Sequence, residues 1–159
     1  MPEMPKQNGQ SKAKSDTKGR TKESKTEGES MTISFTVPGK PVPMARPRVT
    51  SHGTYTPAKC KEYKTVVGIL AAHAMRKAQA EPFEDEPLEC CVRFVFPLPK
   101  SRKNPWATSK PDLDNLYKSV TDGMIGIVYK DDAQIVRATI EKTYTVNGEG
   151  GAEISVQTI

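Results

Sequence analysis

The apolar positions of this chain recur with two different periods, and each period predicts one kind of secondary structure. Four segments carry an apolar residue at every second position, which is typical of strands that bury one face. These predicted strands are Thr32–Val37, Leu88–Phe96, Gln134–Val146 and Glu153–Gln157. Two longer segments, near residues 58–80 and from Asp112 to about Gly123–Gly126, repeat every three or four positions, as one face of an α-helix does. The pattern predicts a single small α+β domain, in which two main helices pack on a sheet of about four strands.

The second predicted helix separates its apolar and polar residues onto different faces. Its apolar face is formed by Leu113, Leu116, Val120, Met124 and Ile127. Asp114, Lys118 and Asp122 follow one another at four-residue spacing on a polar face. Asp112 lies at the expected helix start, where an aspartate can cap free N–H groups. Gly123–Gly126 is expected to fray the helix, because glycine has a low helix propensity.

The same patterns assign inward-facing side chains to the first helix and to the third strand. The predicted helix stripe consists of Tyr63, Val66, Val67, Leu70, Ala71 and Ala74. The predicted strand face consists of Val136, Ala138, Ile140, Tyr144 and Val146. Prolines at positions 41, 43 and 47 predict that Lys40–Val49 forms no regular structure. Cys90 and Cys91 lie in the second strand, where their expected role is that of small buried hydrophobic side chains.

Composition divides the chain into two unequal parts. Residues 1–30 contain no Val, Ile, Leu, Phe, Trp, Tyr or Cys, so they cannot bury enough apolar area to offset the entropy of ordering. They are predicted to form a disordered basic tail, and residues 31–159 are predicted to form the folded domain. The tail either adds a weak attraction to polyanions or is inert.

The overall charge and the cysteine content narrow the class of protein. The 159 residues carry a net charge of +5, which is compatible with an acidic partner. The sequence has no run of 18 apolar residues and no signal-peptide pattern, which predicts a soluble, unexported protein without a membrane partner. Three cysteines, two of them adjacent, do not form a disulfide framework, and two histidines do not support a zinc site.

Five aspartates lie within Lys110–Ile135 of this basic chain. They are Asp112, Asp114, Asp122, Asp131 and Asp132. A helix start and a strand start joined by a short turn can bring several of these carboxylates together, where they repel one another unless a cation is present. Oxygen ligands without histidine or cysteine favour Mg²⁺ or Mn²⁺. The alternative is that Asp112 caps the helix, Asp131 and Asp132 form a turn, and the other carboxylates are solvated.

The motif that contains these aspartates resembles that of a known family, the RusA-type Holliday junction resolvases of bacteria, prophages and phages. Its residues are Pro-Asp-Leu-Asp-Asn-Leu at 111–116, then Lys118, Asp122 and Lys-Asp-Asp-Ala-Gln-Ile at 130–135. The proline-rich segment Pro38–Tyr63 also resembles this family. The resemblance extends from about Thr32 to Val146, which is most of the predicted domain.

The resemblance implies a homodimeric, Mg²⁺-dependent endonuclease that resolves four-way DNA junctions by paired nicks in recombination and repair; Mn²⁺ can serve in place of Mg²⁺. The implied metal ligands are Asp112, Asp114 and one of the pair Asp131 and Asp132, of which Asp132 is favoured. Lys118 would stabilise the negative charge that develops on the phosphate, and Asp131 either assists the metal or only supports the turn. Asn115 and Gln134 are candidates to orient the ligands. No small-molecule cofactor is expected, and the implied location is the bacterial cytoplasm, at the nucleoid.

Seven basic residues are predicted to contact DNA phosphates. They are Lys40, Arg46, Arg48, Lys100, Arg102, Lys103 and Lys110. The first three lie on the proline-rich loop, and the other four precede the aspartates on a loop that also carries Trp106. Trp106 either stacks on a DNA base or folds back on the core. The alternative for the basic residues is ordinary surface charge.

Other functions fit the same residues. Within the nuclease class, flaps and replication forks are alternative substrates. A nucleic-acid-binding module without catalysis is a second alternative, although a pure binder gains nothing from carboxylates placed against phosphate. A structural or assembly protein, whose acidic cluster binds a cation only for stability, is a third.

Overall fold

The computed structural model of the protein describes residues 30–45, 48–51 and 53–159. These residues form two α-helices and six strands. In chain order the elements are β1 Thr32–Pro38, β2 Arg48–Thr50, β3 Gly53–Tyr55, α1 Ala58–Lys77, β4 Leu88–Pro97, α2 Leu113–Met124, β5 Ile135–Thr145 and β6 Gly151–Thr158. The predicted disordered tail up to residue 29, Arg46 and the side chain of Arg48 lie outside the described part of the chain. The domain boundary at residue 30 therefore stays a prediction.

Four of the strands form one mixed sheet in the order β1-β6-β4-β5. β6 pairs antiparallel with β1 and with β4, whereas β4 and β5 run parallel. Parallel neighbours need a crossover connection, and α2 provides it between the end of β4 and the start of β5. β2 and β3 form a separate two-stranded hairpin. The predicted α+β class, with a four-stranded sheet and two helices, is confirmed.

The apolar faces of both helices and one face of the sheet share a single core. Leu116, Val120 and Met124 of α2 are fully buried in it, as the spacing predicted, because they repeat along one side of the helix. The opposite face of the sheet is polar. There Arg93 of β4 forms ion pairs with carboxylates on the two neighbouring strands. Neither helix within the described ranges is long and apolar enough to cross a bilayer.

Cys90 behaves as the predicted buried hydrophobic side chain. It is completely buried in β4, and this burial raises the pKa of its thiol to about 11. The thiolate form is therefore scarce near neutral pH, which makes Cys90 a poor nucleophile. Cys91 points to the other face of the sheet and is partly buried.

The predicted inward face of β5 is wrong at its first residues and beyond its end. A register shift at the start of β5 skips Val136 in the pairing with β4, because a bulge inserts one extra residue. Val136 is 66% exposed, and Val146, which follows the end of β5, is 79% exposed. Ala138 is exposed too, since β5 is an edge strand. Ile140 and Tyr144 pack against the core as predicted.

Two expectations about the region before β4 are also wrong. Val66 is 42% exposed, because the buried stripe of α1 runs through Val67 and Ala71 and leaves Val66 at its edge. The segment Lys40–Val49 is not irregular throughout, since β2 begins at Arg48. Strands of three residues, such as β2 and β3, are too short to show a clear alternation in the sequence.

α1 and α2 cross at two glycines, which explains the presence of Gly123 inside a helix. A Cβ atom added at Gly123 would lie 2.9 Å from Cβ and Cγ1 of Val67 and 3.1 Å from the carbonyl oxygen of Lys64. Gly68 is similarly close to Ile127. The absence of a side chain thus permits the close approach of the helices, so the cost in helix propensity is offset by packing.

Gly123→Ala is therefore expected to destabilise the protein. Overpacking of this kind costs about 1–3 kcal/mol, which outweighs the roughly 1 kcal/mol that alanine gains over glycine in a helix interior. We expect a net loss of up to about 2 kcal/mol, measured as a lower midpoint in urea unfolding with an unchanged slope. An increased midpoint would show that helix propensity dominates and that the helices do not cross this closely.

Candidate active site

α2 presents three charged side chains in a row on the side that faces away from the core. Asp114, Lys118 and Asp122 follow one another at intervals of four residues, which is about 6 Å along the helix axis. Asp114 is exposed, the side chain of Lys118 is 58% exposed and that of Asp122 is 16% exposed. The row therefore begins in solvent near the helix start and becomes more buried toward the helix end.

Asp112 occupies the N-cap position of α2, as predicted, but its side chain does not cap the helix. The carboxylate makes no capping hydrogen bond within the described structure, and only its backbone carbonyl accepts a bond from the N–H of Leu116, at 3.2 Å. Asp112 is exposed. Its carboxylate therefore remains available to an external ligand, which the capping alternative did not foresee.

Asp131 and Asp132 have different surroundings although they are adjacent. The Asp131 carboxylate accepts a hydrogen bond from the N–H of Ala133, at 2.8 Å, and caps the 3₁₀ turn Asp132–Gln134 that leads into β5. Asp132 has a partly exposed side chain that faces α2, 3.7 Å from the ammonium nitrogen of Lys118. The geometry thus favours Asp131 as the residue that supports the turn and Asp132 as the member of the site.

Gln134 holds this turn in place on both sides. Its side-chain oxygen accepts hydrogen bonds from the N–H groups of Lys130 and Asp131, each at 3.0 Å. Its amide nitrogen donates to the carbonyl oxygen of Phe83, at 3.2 Å, in the segment before β4. Gln134 therefore holds the backbone of the turn that carries Asp132, and its role in orienting a metal ligand stays a prediction. The backbone carbonyl of Asn115 accepts from the N–H of Met44, at 2.8 Å, which attaches the proline-rich loop to α2.

Lys118 lies between two carboxylates from different parts of the chain. Its ammonium donates a hydrogen bond of 2.8 Å to Oδ1 of Asp122 and lies 3.7 Å from Oδ2 of Asp132. The bond to Asp122 is the largest cause of a pKa of Lys118 above the usual 10.5; desolvation opposes it, and the charges of Asp122 and Asp132 add to it. Lys118 is therefore positively charged at neutral pH.

Asp122 also connects the site to α1. Its second carboxylate oxygen, Oδ2, lies 3.4 Å from the ammonium of Lys64 and accepts a hydrogen bond from it. Asp122 was placed on the polar face of the helix from its spacing, but its contact with Lys64 could not be predicted, because the two residues are far apart in the chain. No local sequence signal indicates such a pair.

The predicted metal ligands do not form a ready-made cluster. Among the residues that the structure describes, no three histidine, cysteine, aspartate or glutamate side chains converge closely enough to hold a metal ion. Asp132 approaches the middle of α2, whereas Asp112 and Asp114 lie at its start. The chemistry of these hard oxygen donors still suits Mg²⁺ or Mn²⁺.

A cleft next to Asp112 brings together basic residues from two loops. Its walls include Lys40 and Met44 of the proline-rich loop and Lys110, Asp112 and Asn115 of the loop and helix start that follow β4; its volume is about 430 Å³. The same two lysines border a second, adjacent cavity. Positive charge therefore lies directly beside one of the candidate ligands.

The loop between β4 and α2 is basic and exposed, as predicted. Lys100, Arg102, Lys103 and Lys110 are all exposed on it, and the guanidinium of Arg102 donates to the Thr108 hydroxyl at 2.9 Å. Trp106 is 55% exposed, so of the two predicted alternatives the structure favours the side chain that faces solvent. Arg46 and the side chain of Arg48 lie outside the described residues.

Lys142 is a functional candidate that the sequence reasoning missed. Its ammonium donates to the backbone carbonyls of Ser109, at 2.7 Å, and Pro111, at 2.6 Å, immediately before Asp112. It stands between Ile140 and Tyr144 on the inward-facing side of β5. A lysine among apolar residues in an alternating strand is the signal that could have revealed it. Its role is to hold the end of the loop that carries Asp112.

The small α+β domain presents carboxylates and a lysine beside basic loops, an arrangement suited to an enzyme that acts on a polyanion. Comparison with known families gives a match to endodeoxyribonuclease RusA over residues 38–157. The chain therefore belongs to the RusA family of endodeoxyribonucleases, and the resemblance noted from the motif is confirmed.

Two curated proteins illustrate this relationship. An uncharacterised protein of Bacillus subtilis (strain 168), YqaN, is 33% identical over 129 residues, which cover 71% of this chain and 88% of that protein. The crossover junction endodeoxyribonuclease rusA of Lactococcus phage r1t is 43% identical over 70 residues, which cover 42% of this chain and 53% of the phage protein. The second similarity is thus closer in sequence but spans only about half of either chain.

Proposed function

We propose that this protein is a structure-selective endodeoxyribonuclease that resolves four-way DNA junctions with a divalent metal ion. The observation that carries the proposal is the 3.7 Å contact between Lys118 of α2 and Asp132 of the turn before β5, in a chain that belongs to the RusA family. The similar phage protein is a crossover junction endodeoxyribonuclease, which supports a junction as the substrate.

Asp112, Asp114 and Asp132 are the proposed ligands of Mg²⁺, which Mn²⁺ can replace. Protein sites often hold Mg²⁺ with only one or two carboxylates, together with waters and substrate phosphates. A site without three converging ligands among the described residues is compatible with that kind of binding, because DNA would complete it. When bound, such an ion acts as a Lewis acid and lowers the pKa of an attacking water.

Lys118 is the proposed electrostatic stabiliser of the reacting phosphate. Hydrolysis of a phosphodiester builds negative charge on the phosphate oxygens, and a fixed cation at that position lowers the barrier. Lys118 is charged and its side chain is more than half exposed, so its ammonium is accessible to a phosphate. Asp131 is proposed to support the turn only, because its carboxylate is engaged by the N–H of Ala133.

The proposed DNA path runs along the cleft that contains Lys40 and Lys110 and over the exposed loop with Lys100, Arg102 and Lys103. Phosphate contacts of this kind position DNA without reading its sequence. Trp106, on the same loop, is exposed and could stack on an unpaired base. Arg46 and Arg48 are proposed to extend this path from the proline-rich loop.

A homodimer is the proposed active form, because a junction contains two symmetric strands and a twofold enzyme can match them with two identical sites. Light scattering should give twice the 17.5 kDa mass of one chain. A role in recombination and repair, in the bacterial cytoplasm at the nucleoid, belongs to the same proposal.

Cleavage of synthetic branched DNA tests the proposed function. With Mg²⁺, the protein should nick four-way junctions at paired, symmetric positions and leave linear duplex of the same sequence largely intact. Flap and fork substrates should be cut more slowly than the junction. If a flap or fork is cut faster than the junction, that structure is the preferred substrate. Equal cleavage of linear duplex would contradict structure selectivity. Binding without cleavage of any of these substrates would favour a non-catalytic DNA-binding module.

A further inference from the structure

We propose that Asp122 is a positioning residue that holds the Lys118 ammonium in the active site. This inference rests on the proposed catalytic role of Lys118. Asp122 is not one of the proposed metal ligands, and the proposed function does not use it. Its position on the polar face of α2 is also compatible with an ordinary surface carboxylate. Two contacts of the Asp122 side chain distinguish it from one.

The first contact is the hydrogen bond that Asp122 accepts from Lys118. At 2.8 Å it is shorter than the 3.7 Å separation between Lys118 and Asp132, and charge-assisted bonds of this length are among the stronger ones. The side chain of Asp122 is 16% exposed, compared with 39% for Asp132. Asp122 is therefore the closer and the better shielded of the two carboxylates that face Lys118.

The second contact fixes Asp122 itself. Its Oδ2 accepts a hydrogen bond from Lys64 of α1, at 3.4 Å, while Oδ1 faces Lys118. The two helices approach each other closely beside this pair. A Cβ atom added at Gly123 would lie only 2.9 Å from the Val67 side chain and 3.1 Å from the carbonyl oxygen of Lys64. A carboxylate attached to a tightly packed helix crossing has little freedom, so it can define the location of the flexible lysine side chain.

The geometry leaves the lysine able to act on substrate. An ammonium group has three N–H donors. Asp122 takes one of them, Asp132 lies near a second, and a third can face a phosphate oxygen, since the Lys118 side chain is 58% exposed. Asp122 thus acts through Lys118 and does not itself touch the DNA.

A double-mutant cycle separates this role from a purely structural one. Single-turnover cleavage of a four-way junction at saturating enzyme would be measured for wild type, Asp122→Asn, Lys118→Met and the double variant, with junction affinity and Tm on the same preparations. Lys64→Met measures the contribution of the second contact. It removes the interhelical pair of Asp122 but leaves the 2.8 Å bond to Lys118 in place.

We expect Asp122→Asn to lower the cleavage rate by about 10-fold, because the asparagine oxygen can still accept the hydrogen bond but lacks the negative charge that makes this bond about twice as strong. Junction affinity should stay within about threefold, because many basic residues share the phosphate contacts. In the Lys118→Met background, Asp122→Asn should have no further effect beyond about threefold, since residues that act as a unit are non-additive. Asp122→Glu, which keeps the charge, should recover part of the rate.

The outcomes distinguish this inference from the proposed function. If Lys118→Met cleaves within about threefold of wild type, the proposed role of Lys118 fails and this inference fails with it. If Lys118→Met is strongly impaired but Asp122→Asn is not, only the positioning role is overturned. A rate loss in Asp122→Asn that persists in the Lys118→Met background, together with a lower Tm, would instead assign Asp122 to helix packing. If Asp122→Asn does not fold, Asp122→Glu takes its place in the cycle.

Discussion

Asp112→Asn, Asp114→Asn and Asp132→Asn are each expected to lower the single-turnover rate of junction cleavage by about 10³-fold or more. Each change keeps the size of the side chain and removes the negative charge that a divalent cation needs. Lewis-acid assistance contributes several kcal/mol to a reaction of this type, and each 1.4 kcal/mol corresponds to about tenfold in rate. Such a loss is easily measured with a labelled junction in Mg²⁺.

Junction binding should survive the same substitutions. Affinity for DNA depends largely on lysine and arginine contacts to phosphate, and removing a carboxylate beside the phosphate does not weaken this attraction. The two measurements together therefore separate a metal site from a DNA-binding surface. Wild-type cleavage by any two of the three variants would falsify the site as proposed.

Asp131→Asn is the matched control for this series. Asparagine keeps an oxygen that can accept the hydrogen bond from Ala133, which Asp131 accepts at 2.8 Å. Cleavage by Asp131→Asn should therefore stay within about tenfold of wild type. A loss as large as that of Asp132→Asn would show that Asp131 is a ligand and that its role in the turn is secondary.

Lys118→Met is expected to lower the single-turnover rate by about 10²–10³-fold, with little change in junction affinity or Tm. Methionine has a similar length but carries no charge, so the substitution removes the interaction with the developing charge of the transition state. The alternative is that Lys118 only forms an i, i+4 pair with Asp122. Such a pair at the surface is worth about 0.3–0.5 kcal/mol, and its loss would hardly change the rate.

Lys77→Met provides a control for the loss of one positive charge. Lys77 is exposed in the last turn of α1, and its removal should leave the single-turnover rate near that of wild type. If both lysine variants reduce the rate alike, the effect comes from net charge. If Lys118→Met cleaves within about threefold of the wild-type rate, Lys118 does not make a transition-state contact of the expected size.

Long, regular patterns in the sequence were sufficient to predict the main helices and strands and the set of chemical candidates. The apolar spacing of α2 predicted the buried Leu116, Val120 and Met124, because a helix repeats every 3.6 residues wherever it packs. The motif around Asp112 and Lys118 was sufficient to recognise the family that the comparison then confirmed. These conclusions rest on local spacing, which the sequence contains directly.

Which candidate residues contact one another, and which residues hold them in place, became known only from the packing of the folded chain. Lys118 contacts Asp132, Asp122 contacts Lys64, and Lys142 anchors the loop before Asp112. Each of these contacts joins residues from separate parts of the chain, so the local spacing of apolar and polar residues does not indicate it. The exposure of Val136 likewise follows from a register shift between two strands. Contacts of this kind depend on how helices and strands pack in three dimensions, so they become visible only once the fold brings distant parts of the chain together.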